Sequence, residues 1–362
     1  MRVAVVTESF LPHVNGVTNS VLRVCEQLQI QGHRALVIAP GAGPRVWAGV
    51  PIVRTPSVPL PGYRNFRVAL PFPGMHTTLS NFQPDVVHLA SPAILGAQAA
   101  YAAHRLGIPS VAVYQTDLAA YATRYRLGVA ESAVWRRLAR IHDAATRTLA
   151  PSSAAIRQLE EHGVRRVKRW ARGVDLERFH PSHRAQHLTR QWAGNDLLVG
   201  YVGRLAHEKE LGLLASVQDL PGVRLVVVGD GPQRRQLERQ IPRARFTGQQ
   251  LGEELARTFA SLDVFTHTGS HETFCQAVQE ALASGVPVVA PAAGGPLDLV
   301  EHGRTGLLFE PGSATDLARC VTRLQLQPTG RLRMGRLARA SVEGRGWDVV
   351  GRELTEHYRA VA

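Results

Sequence analysis

Along the chain, short runs rich in Val, Ile and Leu alternate with longer segments whose apolar residues recur at helical spacing. The runs read "RVAVV" (2–6), "RALVI" (34–38), "DVVHL" (85–89) and "SVAVY" (110–114) in the first half. In the second half they read "LLVGYV" (197–202), "VRLVVV" (223–228), "DVFTH" (263–267), "PVVA" (287–290) and "GLLF" (306–309). Strands that are apolar on both faces must be covered on both, and their alternation with helices predicts an α/β fold with parallel sheets. A polar stretch, "RGVDLERFHPSHRAQHLTRQWAGND" at 172–196, separates the two series. It divides the chain into an α/β domain over 1–172, a linker over 173–195 and a second α/β domain over 196–345. Residues 346–362 read as a further helix whose packing partner the pattern alone leaves open.

Composition narrows the class. At 362 residues the chain is long enough for two cores, and 44% hydrophobic with 20% charged residues describes a globular protein. Glu8 interrupts the first apolar run too early for a signal peptide, and the stretch "VVHLASPAILGAQAAYAAH" reads as strand, loop and helix rather than a membrane span. Cys25, Cys275 and Cys320 are isolated, which predicts reduced thiols in an intracellular protein and neither a disulfide framework nor a zinc site. A net charge of +13 calls for an acidic partner. The basic residues are scattered and no nucleic-acid module is recognisable, so anionic lipid surfaces and phosphorylated substrates are the partners expected. Arg64, Arg67, Arg124, Arg126, Arg136, Arg137 and Arg140 concentrate charge in the first half, as an acceptor or membrane face or as solvated side chains.

Loops that follow parallel strands are where ligands bind. After the first strand, Asn15 and Gly16 precede a helix; Gly16 suits ordinary turn chemistry or a close approach to phosphate. In "RLAHEKELG", Arg204 and Lys209 stand in a loop and the start of a helix, where they would grip a diphosphate or remain solvated. Lys209 and Lys168 are the only lysines among 42 Lys plus Arg. The phosphate loop GxxxxGK[ST] is absent, and so are Asp-x-Asp pairs and any His or Cys cluster at metal-ligand spacing. In "HETFCQAVQEALASGVPVVAP" (271–291), Phe274, Ala277, Val278, Ala281 and Leu282 predict a helix, with Thr273 and Gln276 as a capping box and Gly285 as its stop. Glu272 then lies in the entering loop and Glu280 on the helix. Either both are solvated, or an extended ligand with an anion at its middle touches Glu272, crosses the helix N-terminus and reaches Glu280. A nucleotide sugar has that layout.

"GRLAHEKELG", "VVVGDGP", "FTG" and "HETFCQAVQEALASGVPVVAPAAGGPLDLVEHGRTGLLFEPG" together resemble the retaining glycosyltransferases of family 4. "DVVHLASPAILG", "VYQTDLAAYA", "RGVDLERFHP" and "APAAGGPLDLV" most resemble the actinobacterial branch that uses GDP-mannose on lipid or glycolipid acceptors. The resemblance implies the glycosyltransferase B fold, two Rossmann-like domains facing each other across a cleft, with the C-terminal helix packing back on the first. It implies a nucleotide-sugar donor, a hydroxyl acceptor on a lipid, glycolipid or small molecule, no cofactor and no metal, and a cytoplasmic enzyme, peripheral at the inner face of the membrane. By matching position, Arg204 and Lys209 would hold the donor diphosphate, Glu280 the ribose and Glu272 the sugar. Thr273, Phe274, Cys275 and Gln276 would meet phosphate or sugar, Gly16 would open the first-domain loop to the phosphates, and Phe246, Thr247 and Gly248 would frame the base. Where many relatives place a histidine near the sugar, this chain reads Gln115, Thr116, Asp117, so Asp117 is the candidate to replace it. A sugar-nucleotide epimerase or sugar phosphorylase on the same fold, and an anion-binding module without catalysis, are the rival readings.

Overall fold

The computed structural model describes residues 1–13, 15–60, 63–117 and 131–362, with the backbone alone for 60 and 63–67. The chain divides into two compact units, Met1–Arg172 with Trp347–Ala362, and Gly173–Gly346. Arg124 and Arg126 lie outside the described residues, as do the side chains of Arg64 and Arg67.

In the first unit the strands are β1 (Arg2–Thr7), β2 (Arg34–Pro40), β3 (Val46–Trp47), β4 (Val50–Thr55), β5 (Ser57–Leu60), β6 (Tyr63–Ala69), β7 (Val86–Ala90), β8 (Ser110–Val113), β9 (Arg147–Ala150) and β10 (Val167–Arg169). Eight of them form one sheet in the order β10-β9-β8-β7-β1-β2-β4-β3, and β5 pairs with β6 in a separate hairpin. Apart from β3 against β4, every pair in the large sheet is parallel. The unbroken apolar runs follow from the two-residue period of a strand. Val3 and Val5 of β1 face a core with Val21, Val24 and Leu28 of the helix Gly16–Ile30 and Val350, Leu354 and Tyr358 of the helix Trp347–Arg359. Ala4 and Val6 face the opposite core, with Leu79 of the helix Met75–Phe82 and Ala99, Ala100 and Ala103 of the helix Leu95–Arg105. Each large apolar side chain so buried contributes roughly 1.5–3 kcal/mol. Polar bonds fix the last helix in place: the Trp170 indole N–H donates to the Val350 carbonyl at 3.0 Å, and the Tyr358 hydroxyl lies 2.7 Å from Nδ1 of His88. Burial lowers the His88 pKa to about 3, so the ring is neutral in this contact.

The second unit contains β11 (Leu197–Val202), β12 (Val223–Val228), β13 (Arg245–Gly248), β14 (Val264–Thr266), β15 (Val288–Pro291) and β16 (Gly306–Phe309), all parallel, in the order β13-β12-β11-β14-β15-β16. Alternate residues again divide between two cores, Leu198, Val226 and Phe265 on one face and Val199, Val227 and Val264 on the other. Residues 173–195 fold as part of this unit. The Arg184 guanidinium donates to the Leu262 carbonyl at 2.9 Å and pairs with Asp263 at 2.6 Å, and Thr189 Oγ1 donates to the Ser261 carbonyl at 2.9 Å.

Each sheet has one place where the strand order reverses, between β1 and β7 in the first unit and between β11 and β14 in the second. The loops beyond the carboxyl ends of those strands form the ligand crevice of open parallel sheets. Among the described residues no helix is long and apolar enough to cross a membrane.

Candidate active site

At the reversal in the second unit, the loop after β11 meets the loop after β14. The chain leaves β11 through Gly203 and Arg204 and turns once as a 3-10 helix, His207–Lys209, before Glu210 takes a left-handed conformation at φ 51°. The helix start expected at Lys209 is therefore a single tight turn, too short to supply an appreciable dipole. Its left-handed exit breaks the helical path. The two loops are tied together: Thr268 Oγ1 donates to the Lys209 carbonyl at 2.5 Å, and the Ser270 hydroxyl donates to Glu210 Oε1 at 2.5 Å.

The tie brings the Lys209 ammonium onto Glu272, to which it donates a hydrogen bond within an ion pair. The side chains retain 21% and 17% of their exposure, so the pair is largely desolvated yet open on one side. Nε2 of His267 lies 3.3 Å from the same Glu272 oxygen. Burial alone would raise the Glu272 pKa, but Lys209 and His267 outweigh it and hold the carboxylate well below the usual range. Burial likewise disfavours the Lys209 ammonium, and Glu272 reverses that, holding it charged. For His267 burial lowers the pKa, while Cys275 and Glu272 together carry it up to about 9. The result is a fixed carboxylate between two cations, in a place of low dielectric where charge interactions are strong.

Two glycines place this carboxylate. In the loop after β15, a Cβ on Gly294 would stand 2.5 Å from the Glu272 carbonyl oxygen, and one on Gly295 would stand 2.1 Å from the Phe274 carbonyl oxygen. Only bare backbone fits so close. The Gly295 N–H uses that approach to donate to the Glu272 carbonyl at 2.7 Å. Phe274 is buried and Cys275 stands at the N-cap of the helix Gln276–Ala283 with φ 79°. The expected capping box is not formed: the helix begins at Gln276, no side chain caps it, and Thr273 lies outside it. Packing against Gly294 and Gly295 holds Glu272–Phe274 in a turn that would otherwise be the first helical residues. Glu280 is on the helix, half-buried, and Gln276 donates through Nε2 to the Gly173 carbonyl at 3.1 Å. Gly285 stops the helix with φ 71°.

Arg204 is exposed beside Glu208, with 3.5 Å between them, and its carbonyl accepts from the Tyr201 hydroxyl at 3.1 Å. Phe246, Thr247 and Gly248 finish β13 at the same end of the sheet, and the Gly248 carbonyl accepts from the Gly229 N–H at 2.8 Å. His267 was not singled out by sequence; its ring lies nearly parallel to that of Tyr201, centroids 6.3 Å apart. With Glu272 and Cys275 it places three ligand atoms within 4.8 Å of one another, a His/Cys cluster that regular ligand spacing did not reveal.

The first unit holds the other two candidates. Gly16 opens the helix Gly16–Ile30, which Asn15 caps by accepting from the Thr18 N–H at 2.9 Å, and its carbonyl accepts from Arg172. Asp117, half-buried after β8, accepts from Gln158 Nε2 at 2.8 Å, and Gln158 in turn accepts from the Tyr114 hydroxyl at 3.1 Å.

The profile of Glycosyltransferase Family 4 matches residues 14–178, and that of the group 1 glycosyl transferases matches residues 196–326. The chain is 51% identical to a GDP-mannose-dependent alpha-mannosyltransferase of Mycolicibacterium smegmatis, across 100% of this chain and 98% of that one. A protein of the same description from Corynebacterium glutamicum is 45% identical across 100% and 89%. The fold superposes on the Anabaena protein Alr3699/HepE in complex with UDP with a TM-score of 0.82 at 21% identity, covering 99% of this chain and 100% of that one. The chain belongs to glycosyltransferase family 4 and has the glycosyltransferase B fold.

Proposed function

We propose that this chain is a retaining, metal-independent transferase that moves mannose from GDP-mannose to a hydroxyl of a lipid or glycolipid acceptor, with the second unit on the donor side and the first on the acceptor side. The observation that carries the reading is the Lys209–Glu272 pair with His267, set beyond the carboxyl ends of β11 and β14 where the strand order reverses. An arriving diphosphate competes for Lys209 and draws Arg204, and these two cations take up the charge that develops as the nucleotide leaves. Glu272, kept ionised, accepts from the sugar hydroxyls on the face where positive charge builds in the oxocarbenium-like transition state. The backbone at Thr273, Phe274, Cys275 and Gln276 meets phosphate or sugar, Glu280 accepts from ribose, and Phe246, Thr247 and Gly248 frame the base. The acceptor attacks from the face the nucleotide departs, and a departing phosphate oxygen takes its proton, which retains the anomeric configuration.

On the acceptor side, Asp117 is oriented by Gln158 and Gly16 opens its loop to phosphate. Arg136, Arg137 and Arg140 line a groove of about 340 Å³ with Ala97 and Tyr101, which suits an anionic headgroup or membrane surface. The decisive experiment is incubation with GDP-mannose, with and without a glycolipid acceptor, in EDTA. An α-linked product formed only with acceptor supports the reading. Donor consumed alone to an epimer or sugar phosphate supports the rivals, and activity that returns only on adding Mg²⁺ overturns metal independence. Flotation of the chain with anionic but not neutral vesicles tests the membrane face.

A further inference from the structure

We propose that His267, Glu272 and Cys275 form a binding site for a thiophilic divalent cation such as Zn²⁺, and that filling it closes the donor site by taking Glu272 from Lys209. The ligand set is one imidazole, one carboxylate and one thiol, with all three ligand atoms within 4.8 Å of one another. Sulfur and imidazole together favour Zn²⁺ over Mg²⁺ or Ca²⁺. In a tetrahedral site with bonds of about 2.0–2.3 Å, neighbouring ligand atoms are roughly 3.3–3.8 Å apart. The His267–Glu272 separation of 3.3 Å already meets that spacing, and the thiol has only a short way to move.

A second observation points to a ligand. His267 is 2% exposed, and its ring meets Glu272 and Cys275 without good hydrogen-bond geometry at either nitrogen, Nε2 standing 3.3 Å from the Glu272 oxygen. Buried polar atoms of that kind are rare, and coordination is one of the few ways to satisfy them. Cys275 adds a third: it is a cysteine at φ 79°, a conformation that suits glycine, so its side chain is retained at a local cost of about 1–2 kcal/mol. The open side of the Lys209–Glu272 pair is the entry path, and the fourth position is left for water. On binding, the thiol and ring release their protons to solvent, and the Lys209 ammonium, repelled by the new charge, turns outward.

The cation site stands on its own geometry; its inhibitory effect rests on the reading of Glu272 and Lys209 as donor-site groups. The test titrates the metal-free full chain with Co²⁺, whose thiolate charge-transfer band in the near ultraviolet reports a Co–S bond. One equivalent should produce the band and Zn²⁺ should displace it. Cys275→Gly, which suits the backbone, should abolish the band, and His267→Gln should weaken binding by more than the about 10–100-fold that outer-shell changes cost. Thermal melting of both variants checks that they are folded. In a parallel titration, Zn²⁺ should inhibit mannosyl transfer in step with occupancy, EDTA should reverse it, and GDP should protect. Absence of the band at one equivalent, or a band that survives in both variants, overturns the site. Stoichiometric Zn²⁺ binding with unchanged turnover leaves the site standing and overturns the donor-site reading of Glu272.

Discussion

Glu8 and Glu272 each lie just past a strand at the reversal point of their own sheet, and they are held in opposite ways. Glu8 Oε1 accepts from the backbone N–H groups of Ala93, Ile94 and Gly96 at 2.8–2.9 Å, at the start of the helix Leu95–Arg105. Burial pushes its pKa up and these bonds only partly offset it. Glu272 is held by side chains, Lys209 and His267, which drive its pKa down. Backbone donors cannot turn to a ligand, whereas an ammonium on four methylenes can. The carboxylate of the first unit is thus fixed by backbone, and that of the second is held by side chains that can turn.

The comparison can be broken at either carboxylate. Glu8→Ala leaves three N–H groups without their acceptor and should lower the unfolding free energy by about 3 kcal/mol or more, since each unsatisfied buried group costs about 1–3 kcal/mol. A midpoint in denaturant within error of wild type would make that carboxylate dispensable. Glu272→Ala should instead lower turnover by ~100-fold or more, equal to about 2.7 kcal/mol, with little change in KM. Lys209→Met should do the same by at least as much, since it also strands the buried carboxylate. Kinetics of both variants at saturating donor decide the matter, and near-normal rates would return the pair to structure.

The same contrast has a pH signature. Because the folded-state pKa of His267 is raised from 6.5 to about 9, its contribution to stability is complete below about pH 6.5 and is lost as pH rises through about 9. Glu272, whose pKa is lowered from 4.5, contributes above about pH 4.5 and loses that contribution at lower pH. Thermal melts from pH 6 to 10 should decline over the upper window, and His267→Gln should flatten the decline. The smallest effect belongs to Glu280→Ala, which should raise KM for the donor by about 10-fold, one charge-assisted bond, with turnover nearly kept. Isothermal titration with GDP separates the two terms.

The nine apolar runs read from the sequence all contain strands, because burial on both faces writes itself into consecutive residues. The other seven strands break the apolar pattern: Val46–Trp47 has only two residues, Val50–Thr55 and Ser57–Leu60 carry Pro51 and Pro59, and Tyr63–Ala69, Arg147–Ala150, Val167–Arg169 and Arg245–Gly248 carry charged residues. At the site, Lys209 and Glu272 were visible as residues but not as partners, since 63 positions separate them. His267 looked like the end of a strand. The capping box failed for a reason no local window contains, the approach of Gly294 and Gly295 to Glu272 and Phe274. Glu8 registered only as a break in an apolar run, because its donors come from residues more than 80 positions away.

The helix Trp347–Arg359 puts Val350, Leu354 and Tyr358 into the core of the first unit, although the whole second unit precedes it in the chain. For biosynthesis this sets an order. When residue 172 leaves the ribosome, the apolar face that will receive those three side chains is still open to solvent, and the Trp170 indole N–H has no Val350 carbonyl to meet. At about 5–20 residues per second the intervening segment takes roughly 10–35 s to make. Its contiguous second unit can close during that interval. The half of the protein synthesised first is therefore the last to be finished, and its exposed face is the one that chaperones would have to shield.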